Sequence, residues 1–142
     1  MSKKPLHKTV GELMSAALVS LRETDRVSTA AREMTISAIR HLTVVDGEGR
    51  LLGLVSSTDV VAALGHKDDR ELGTIMTRDL YTVRGDSPAE RAVALMIDQK
   101  LNALPVVGTG GDLIGIITAT DFLVVAYQAL TGAPIERDAS EI

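Results

Sequence analysis

Apolar residues recur at Val27, Ala30, Ala31, Met34 and Ala38 with polar residues between them. That i, i+3, i+4, i+7, i+11 spacing predicts an amphipathic helix. A second set, Ala89, Ala92, Val93, Met96 and Ile97, predicts another. Its start is marked by Ser87-Pro88-Ala89-Glu90, which combines an N-cap serine, a proline at the first helical position and a glutamate three residues on. Asp25 holds the equivalent cap of the earlier helix. After each helix come two runs rich in leucine and β-branched residues, Leu42–Asp46 with Leu51–Ser56, and Leu104–Val107 with Leu113–Thr118. Glycine-rich connections join them, which predicts two β-hairpins. These strands are apolar on both faces, so each small sheet should be covered on both sides. A brief extended piece precedes each helix, at Leu18–Leu21 and Leu80–Val83, and a second helix follows each hairpin through Asp59–Leu64 and Asp121–Leu130.

The pattern occurs twice because the chain is one unit written twice. Gly11–Leu64 aligns with Gly73–Ala126 without a gap, and fourteen of the 54 pairs are identical. The best-kept stretch, Leu51-Leu-Gly-Leu-Val-Ser-Ser-Thr-Asp59, returns as Leu113-Ile-Gly-Ile-Ile-Thr-Ala-Thr-Asp121. Two copies of this size, each too small for a good core alone, should pack face to face, with any junction pocket occurring twice about a pseudo-twofold axis. The organisation predicted is a first repeat over 9–64, a charged linker over 65–70, a second repeat over 71–130 and a mobile tail over 131–142, where periodicity ends. The fold class is α/β, as two β-α-β-β-α repeats joined through their sheets.

Composition narrows the function. With 142 residues and 45% hydrophobic content a real core is attainable. Mean hydropathy is +0.17, net charge −4 and the isoelectric point about 5.3. Aromatics are confined to Phe122, Tyr81 and Tyr127, which disfavours a stacking platform for single-stranded nucleic acid. No basic run extends beyond Lys3-Lys4, which disfavours duplex binding. There is no cysteine, which fits a reducing cytoplasm. No apolar run approaches the ~20 residues of a membrane span, and the N-terminus lacks the apolar segment of a signal peptide, so no membrane association is expected. His7, His41 and His66 are scattered, without metal-ligand spacing. Met14, Met34, Met76 and Met96 recur by repeat position and fit the core. No nucleophile–base constellation is present, so no catalytic residue, metal or obligatory cofactor is expected.

The strongest local feature is Gly53-Leu-Val-Ser56-Ser-Thr58-Asp59 with its twin Gly115-Ile-Ile-Thr118-Ala-Thr120-Asp121. One account is structural: Ser56 is an N-cap and Asp59 the third helical residue, a capping box with aspartate in place of glutamate. The other is chemical. A strand ending at a helix N-terminus offers backbone N–H groups and a positive dipole end to phosphate. The hydroxyl adds a donor, and the carboxylate is a natural acceptor for two vicinal ribose hydroxyls. Both accounts can hold for the same residues.

This order, with Ala103-Leu-Pro-Val-Val107 opening a hairpin and a Gly-x-x-Ser/Thr-x-x-Asp ending in both copies, resembles a tandem pair of CBS domains, the cystathionine β-synthase-type regulatory repeats. The resemblance covers about Thr9 to Tyr127. It departs from the family at Thr43, where proline is usual, and this should only loosen the start of the strand. The resemblance implies two clefts for adenosine-containing ligands: AMP, ADP, ATP, S-adenosylmethionine or dinucleotides. It implies that Asp59 and Asp121 hold ribose hydroxyls and that Ser56 and Thr118 reach ribose or phosphate. Thr58 and Thr120 add a hydroxyl or cap the helix, and Ser15 and Thr77 offer a further polar contact. In similar modules basic residues just before the Leu-Pro-Val strand meet phosphate. Here that place holds Arg40-His41 in the first copy and Asn102-Ala103 in the second, so the first site is expected to prefer more phosphate charge.

Phe122-Leu-Val-Val-Ala-Tyr127 is apolar all round, and such a helix is buried on more than one side. A homodimer through the last helices of the repeats is expected, as the resemblance also implies. The function that follows is a stand-alone regulatory module that senses an adenine nucleotide and signals to an unidentified protein partner in trans. A ligand-free interaction scaffold is the alternative from another class.

Overall fold

The computed structural model describes residues 8–133. The twelve elements follow the repeat, beginning with α1 (Val10–Leu13), β1 (Ser20–Leu21), α2 (Val27–Ser37), β2 (His41–Val45), β3 (Leu51–Ser56) and α3 (Ser57–Leu64). After a 3-10 turn at Leu72–Thr74 come β4 (Val83–Arg84), α4 (Ala89–Gln99), β5 (Ala103–Val107), β6 (Leu113–Thr118) and α5 (Ala119–Thr131). The described residues form two three-stranded sheets, ordered β1-β2-β3 and β4-β5-β6. The mixed α/β class and the doubled β-α-β-β-α order are as the periodicity predicts. α5 runs through Thr131 to a left-handed Gly132, and 134–142 of the expected tail lie outside the described residues, as do Lys3, Lys4 and His7.

In each sheet the short first strand pairs parallel to the second, Ser20 with Thr43 and Val83 with Val106. β2 and β3 pair antiparallel, with His41 opposite Ser56 and a register shift between Val44 and Val45. Asp46 does not extend the strand. It turns the hairpin, its Oδ1 accepting the N–H groups of Glu48 and Arg50 at 2.8 and 2.9 Å.

The chain's compact units do not coincide with its repeats. One unit is Ala17–Tyr81 with Gly111–Leu113; the other holds the residues up to Ala16, Thr82–Gly110 and those from Ile114. We call them the first-repeat and second-repeat units. The lead of each repeat is built into the unit of the other. In the first-repeat unit Leu72 N–H donates to the Asp25 carbonyl, and Leu54 and Thr77 exchange both backbone hydrogen bonds at 2.9–3.0 Å. In the second-repeat unit Val10 N–H donates to the Ser87 carbonyl, and Ser15 and Ile116 exchange theirs. The leads thus satisfy the outer edges of β3 and β6, which would otherwise be exposed.

Each unit has its own core. In the first-repeat unit Val27, Ala30 and Met34 of α2 meet Leu42, Val44 and Val55 of the sheet, Val60 and Ala63 of α3, and Leu72 and Met76 of the lead. In the second-repeat unit Ala92 and Met96 meet Leu104, Val106, Ile117 and Val10, with Met14 and Phe122 packed alongside. The methionines therefore fill core positions as their recurrence predicts. Ile97, expected on the apolar face of α4, is exposed.

Three local expectations are corrected. The N-cap of α4 is Pro88, with no side-chain cap, rather than Ser87. Asp25 does not cap α2: its Oδ2 accepts Arg22 N–H at 2.7 Å and closes the preceding turn. The α2 cap comes from far along the chain, where the Asp69 carboxylate accepts the backbone N–H of Ser28 at 3.0 Å and its hydroxyl. Those bonds hold the Asp69 carboxyl below its usual range. Thr43 is likewise no loosened strand start. It is buried inside β2, and its hydroxyl hydrogen-bonds Ser20 Oγ on β1, so Thr43 ties the parallel pair together where Pro105 stands in the other unit.

Candidate functional site

The candidate site occurs once in each unit, where the hairpin's last strand turns into its last helix. In the first-repeat unit Ser56 is the N-cap of α3, extended at φ −96° and ψ 161°. Ser56 Oγ accepts Asp59 N–H at 3.2 Å, and Ser56 N–H donates to Asp59 Oδ2 at 2.9 Å. The capping box predicted from the spacing is present. The Arg40 carbonyl accepts Ser57 N–H at 2.8 Å, fixing the segment before β2 against the helix start.

The second-repeat unit repeats the arrangement with one change. Thr118 N–H donates to Asp121 Oδ2 at 2.8 Å, and the Thr118 hydroxyl donates to the same oxygen at 3.3 Å. Ala119 N–H donates to the Asn102 carbonyl at 2.9 Å. In both units the box uses Oδ2, and among the described residues neither Oδ1 has a hydrogen-bond partner. An ionised carboxylate offers about four acceptor positions, so capping leaves most of each aspartate's capacity open. Both aspartates are half-buried, and Thr58 and Thr120 are exposed beside them.

The leads bring in the remaining predicted residues, with an exchange the sequence does not display. Thr77, from the second repeat, lies on β3 beside Leu54, two residues before Ser56. Ser15, from the first repeat, lies on β6 beside Ile116, two residues before Thr118. Only the double use of the motif hinted at this, since residues in corresponding leads are 62 apart and no local pattern says which sheet each will join.

Glycine makes the close approach of lead and strand possible. A Cβ on Gly53 would lie 2.7 Å from Met76 Sδ and 3.0 Å from the Thr77 carbonyl oxygen. On Gly115 it would lie 2.5 Å from Met14 Sδ and 2.8 Å from the Ser15 carbonyl oxygen. The glycine opening each Gly-x-x-Ser/Thr-x-x-Asp stretch is therefore a packing requirement.

The two sites differ in charge. His41 stands at the start of β2 directly across from Ser56. Burial pushes its imidazole below the usual histidine range; Asp59 opposes that shift and Arg40 adds to it. The corresponding second-repeat place holds Asn102 and Ala103 and no titratable group. Among the described residues no cluster of metal-ligating side chains exists, and no helix is long and apolar enough to cross a membrane.

Comparison with known proteins agrees with this geometry. The CBS domain family model matches residues 10–66 and again 72–127. A homoserine O-acetyltransferase from Methanococcoides burtonii is 38% identical over 115 residues, which is 81% of this chain and 23% of that protein. The chain thus spans about a quarter of the length of curated relatives it matches. Among solved structures, the CBS domain pair of protein MJ0100 in complex with 5′-methylthioadenosine and S-adenosyl-L-methionine superposes with a TM-score of 0.81 at 25% identity, covering 87% of this chain and 99% of that one. CBSX2 in complex with AMP gives 0.76 at 28% identity, covering 86% and 98%. Two matched repeats, the doubled strand-to-helix turn and these fold relatives lead to one conclusion: the chain is a tandem pair of CBS domains and belongs to that family.

Proposed function

We propose that this CBS pair is a regulatory module rather than an enzyme, that it binds an adenine nucleotide (AMP, ADP or ATP), and that it passes the occupied state to a protein partner. The observation that carries this is the aspartate at the third position of α3 and α5. Its Oδ2 is fixed by the N-cap amide while Oδ1 is unpartnered among the described residues. A carboxylate held that way is preorganised to accept two vicinal ribose hydroxyls. The adjacent helix start and hydroxyl suit a phosphate. The adenosine ligands in the related complexes support the same chemistry. S-adenosylmethionine and dinucleotides share the adenosine half and are the competing ligands.

The test is a thermal-shift screen of AMP, ADP, ATP, S-adenosylmethionine and NAD at about 100 times a working dissociation constant. One specific site should add about 2.7 kcal/mol, a rise of about 5–10 °C for a chain of this size. The rise should vanish in Asp59→Asn or Asp121→Asn proteins that still unfold cooperatively. No rise with any adenosine compound would leave the capping boxes as purely structural and favour a ligand-free interaction scaffold.

We further propose that a second copy of the chain covers α5. Leu123, Tyr127 and Leu130 form one stripe at i, i+4 and i+7, and Leu123 and Leu130 are 68% and 86% exposed. A monomer by light scattering at micromolar concentration would overturn this.

A further inference from the structure

His41 is an ionisable group that its partner position lacks. The register places it across from Ser56, beside the α3 N-terminus, and it is half-buried there. The charged groups acting on it are Asp59 from α3 and Arg40 just before β2. β1 and β3 bring no charge to it, and Arg78 of the lead is held by Glu23 at 3.3 Å. The imidazole is thus a group whose charged form burial disfavours, next to a helix start suited to an anion. In the other unit the same position is Ala103.

Accepting the adenosine reading of this site, on which the inference rests, we propose that the first-repeat site takes a 5′-phosphorylated adenosine together with one proton from solvent, carried by His41, and that the second-repeat site binds without one. A phosphate near the imidazole favours its charged form. Binding therefore raises the affinity of His41 for a proton, and by linkage the proton raises the affinity for phosphate. The imidazolium then donates a charge-assisted hydrogen bond, adding to Arg40 a charge present only when the ligand is there. Adenosine lacks the phosphate and should leave His41 neutral.

The experiment follows AMP and adenosine binding by calorimetry between about pH 5.5 and 8 in wild type and His41→Gln. The His41 ring resonance, identified by its loss in the variant, is titrated alongside. The AMP phosphate itself titrates near pH ~6, but it does so equally for both proteins, so their ratio isolates His41. The wild-type to variant affinity ratio for AMP should grow about tenfold from the alkaline to the acid end. The ring titration should move to higher pH with AMP and stay in place with adenosine. If AMP binds but the ratio is flat and the resonance unmoved, the proton coupling is wrong while the adenosine reading stands. If neither compound binds at any pH, both are wrong.

Discussion

The two units carry the same frame and different charges. Both insert a lead from the opposite repeat, both turn a strand into a helix through an aspartate box, and both end their first helix alike. Ala38 and Lys100 adopt left-handed φ of 53° and 55°, and Ile39 and Leu101 N–H groups reach back to the Met34 and Met96 carbonyls. The differences lie where side chains face open space. Arg40-His41 stands against Asn102-Ala103. The exposed Glu23–Arg78 pair of the first-repeat unit has only Gly85 and Ala16 at the matching places. Beside Gly85, a concavity of about 250 Å³ is lined by Gly11, Val107, Gly108 and Ile114. Frame residues answer to backbone hydrogen bonds and close contacts that both copies must satisfy, whereas the residues around them are free to make the two sites unlike.

If the frame is shared, breaking the same contact should injure both units, and more severely where it is tighter. Gly115→Ala drives a Cβ against a backbone oxygen at 2.8 Å, and Gly53→Ala meets one at 3.0 Å. Overpacking of this kind costs about 1–3 kcal/mol, a melting temperature lowered by about 3–10 °C. Gly115→Ala should be the worse of the two in calorimetry, and equal or reversed effects would mean the leads yield more easily than their packing indicates.

The charge difference is sharpened by Arg40→Ala. Loss of a cation from the first-repeat site should weaken ATP or AMP about tenfold and leave adenosine nearly unchanged. Asn102→Ala at the matching place should separate the ligands far less. Equal losses for adenosine and AMP in a titration would remove the proposed phosphate preference.

A smaller effect tests the shared helix ends. A non-glycine residue in the left-handed region costs roughly 1 kcal/mol, so Lys100→Gly and Ala38→Gly should each stabilise the fold by up to that amount, read as a higher urea midpoint. Both positions are exposed, and Ala38→Gly is the cleaner substitution, since it removes one methyl group whereas Lys100→Gly also removes a cation from a helix C-terminus.

Much of this frame was legible in the sequence, because its causes are local. Helical spacing located α2 and α4 through Val27, Ala30, Met34 and their twins, and Ser56-x-x-Asp59 announced a box whose members lie three residues apart. What escaped is what joins distant residues. Asp69 caps α2 across 41 positions, and no periodicity connects a linker aspartate to that helix. Ser20 and Thr43 meet across a parallel pair. The family comparison framed Thr43 as a missing proline, which hid the hydrogen bond it makes. The exchange of Ser15 and Thr77 between units is a property of topology, and a repeat alignment treats each copy as self-contained.

The smallest expected effect bears on stability and pH, and again it separates the units. His41 is held below the usual histidine value of 6.5, so between its folded value and 6.5 the unfolded chain binds more protons than the folded one. Stability should therefore rise with pH through that window, be complete above it, and be lost as pH falls toward the folded value, with no further loss from this group below. Asp69 acts lower down. Its carboxyl is held below 3.8 by the Ser28 bonds, so its contribution is present above that value and lost as pH falls through the folded one. Urea midpoints measured from about pH 7.5 to 5 should slope downward for the ligand-free wild type and flatten in His41→Gln. Asp69→Asn should leave that slope intact, lowering the midpoint evenly above about pH 4 and converging on wild type below it. A slope that survives in His41→Gln would have to come from elsewhere, and the charge asymmetry between the two sites would then not register in the stability of the fold.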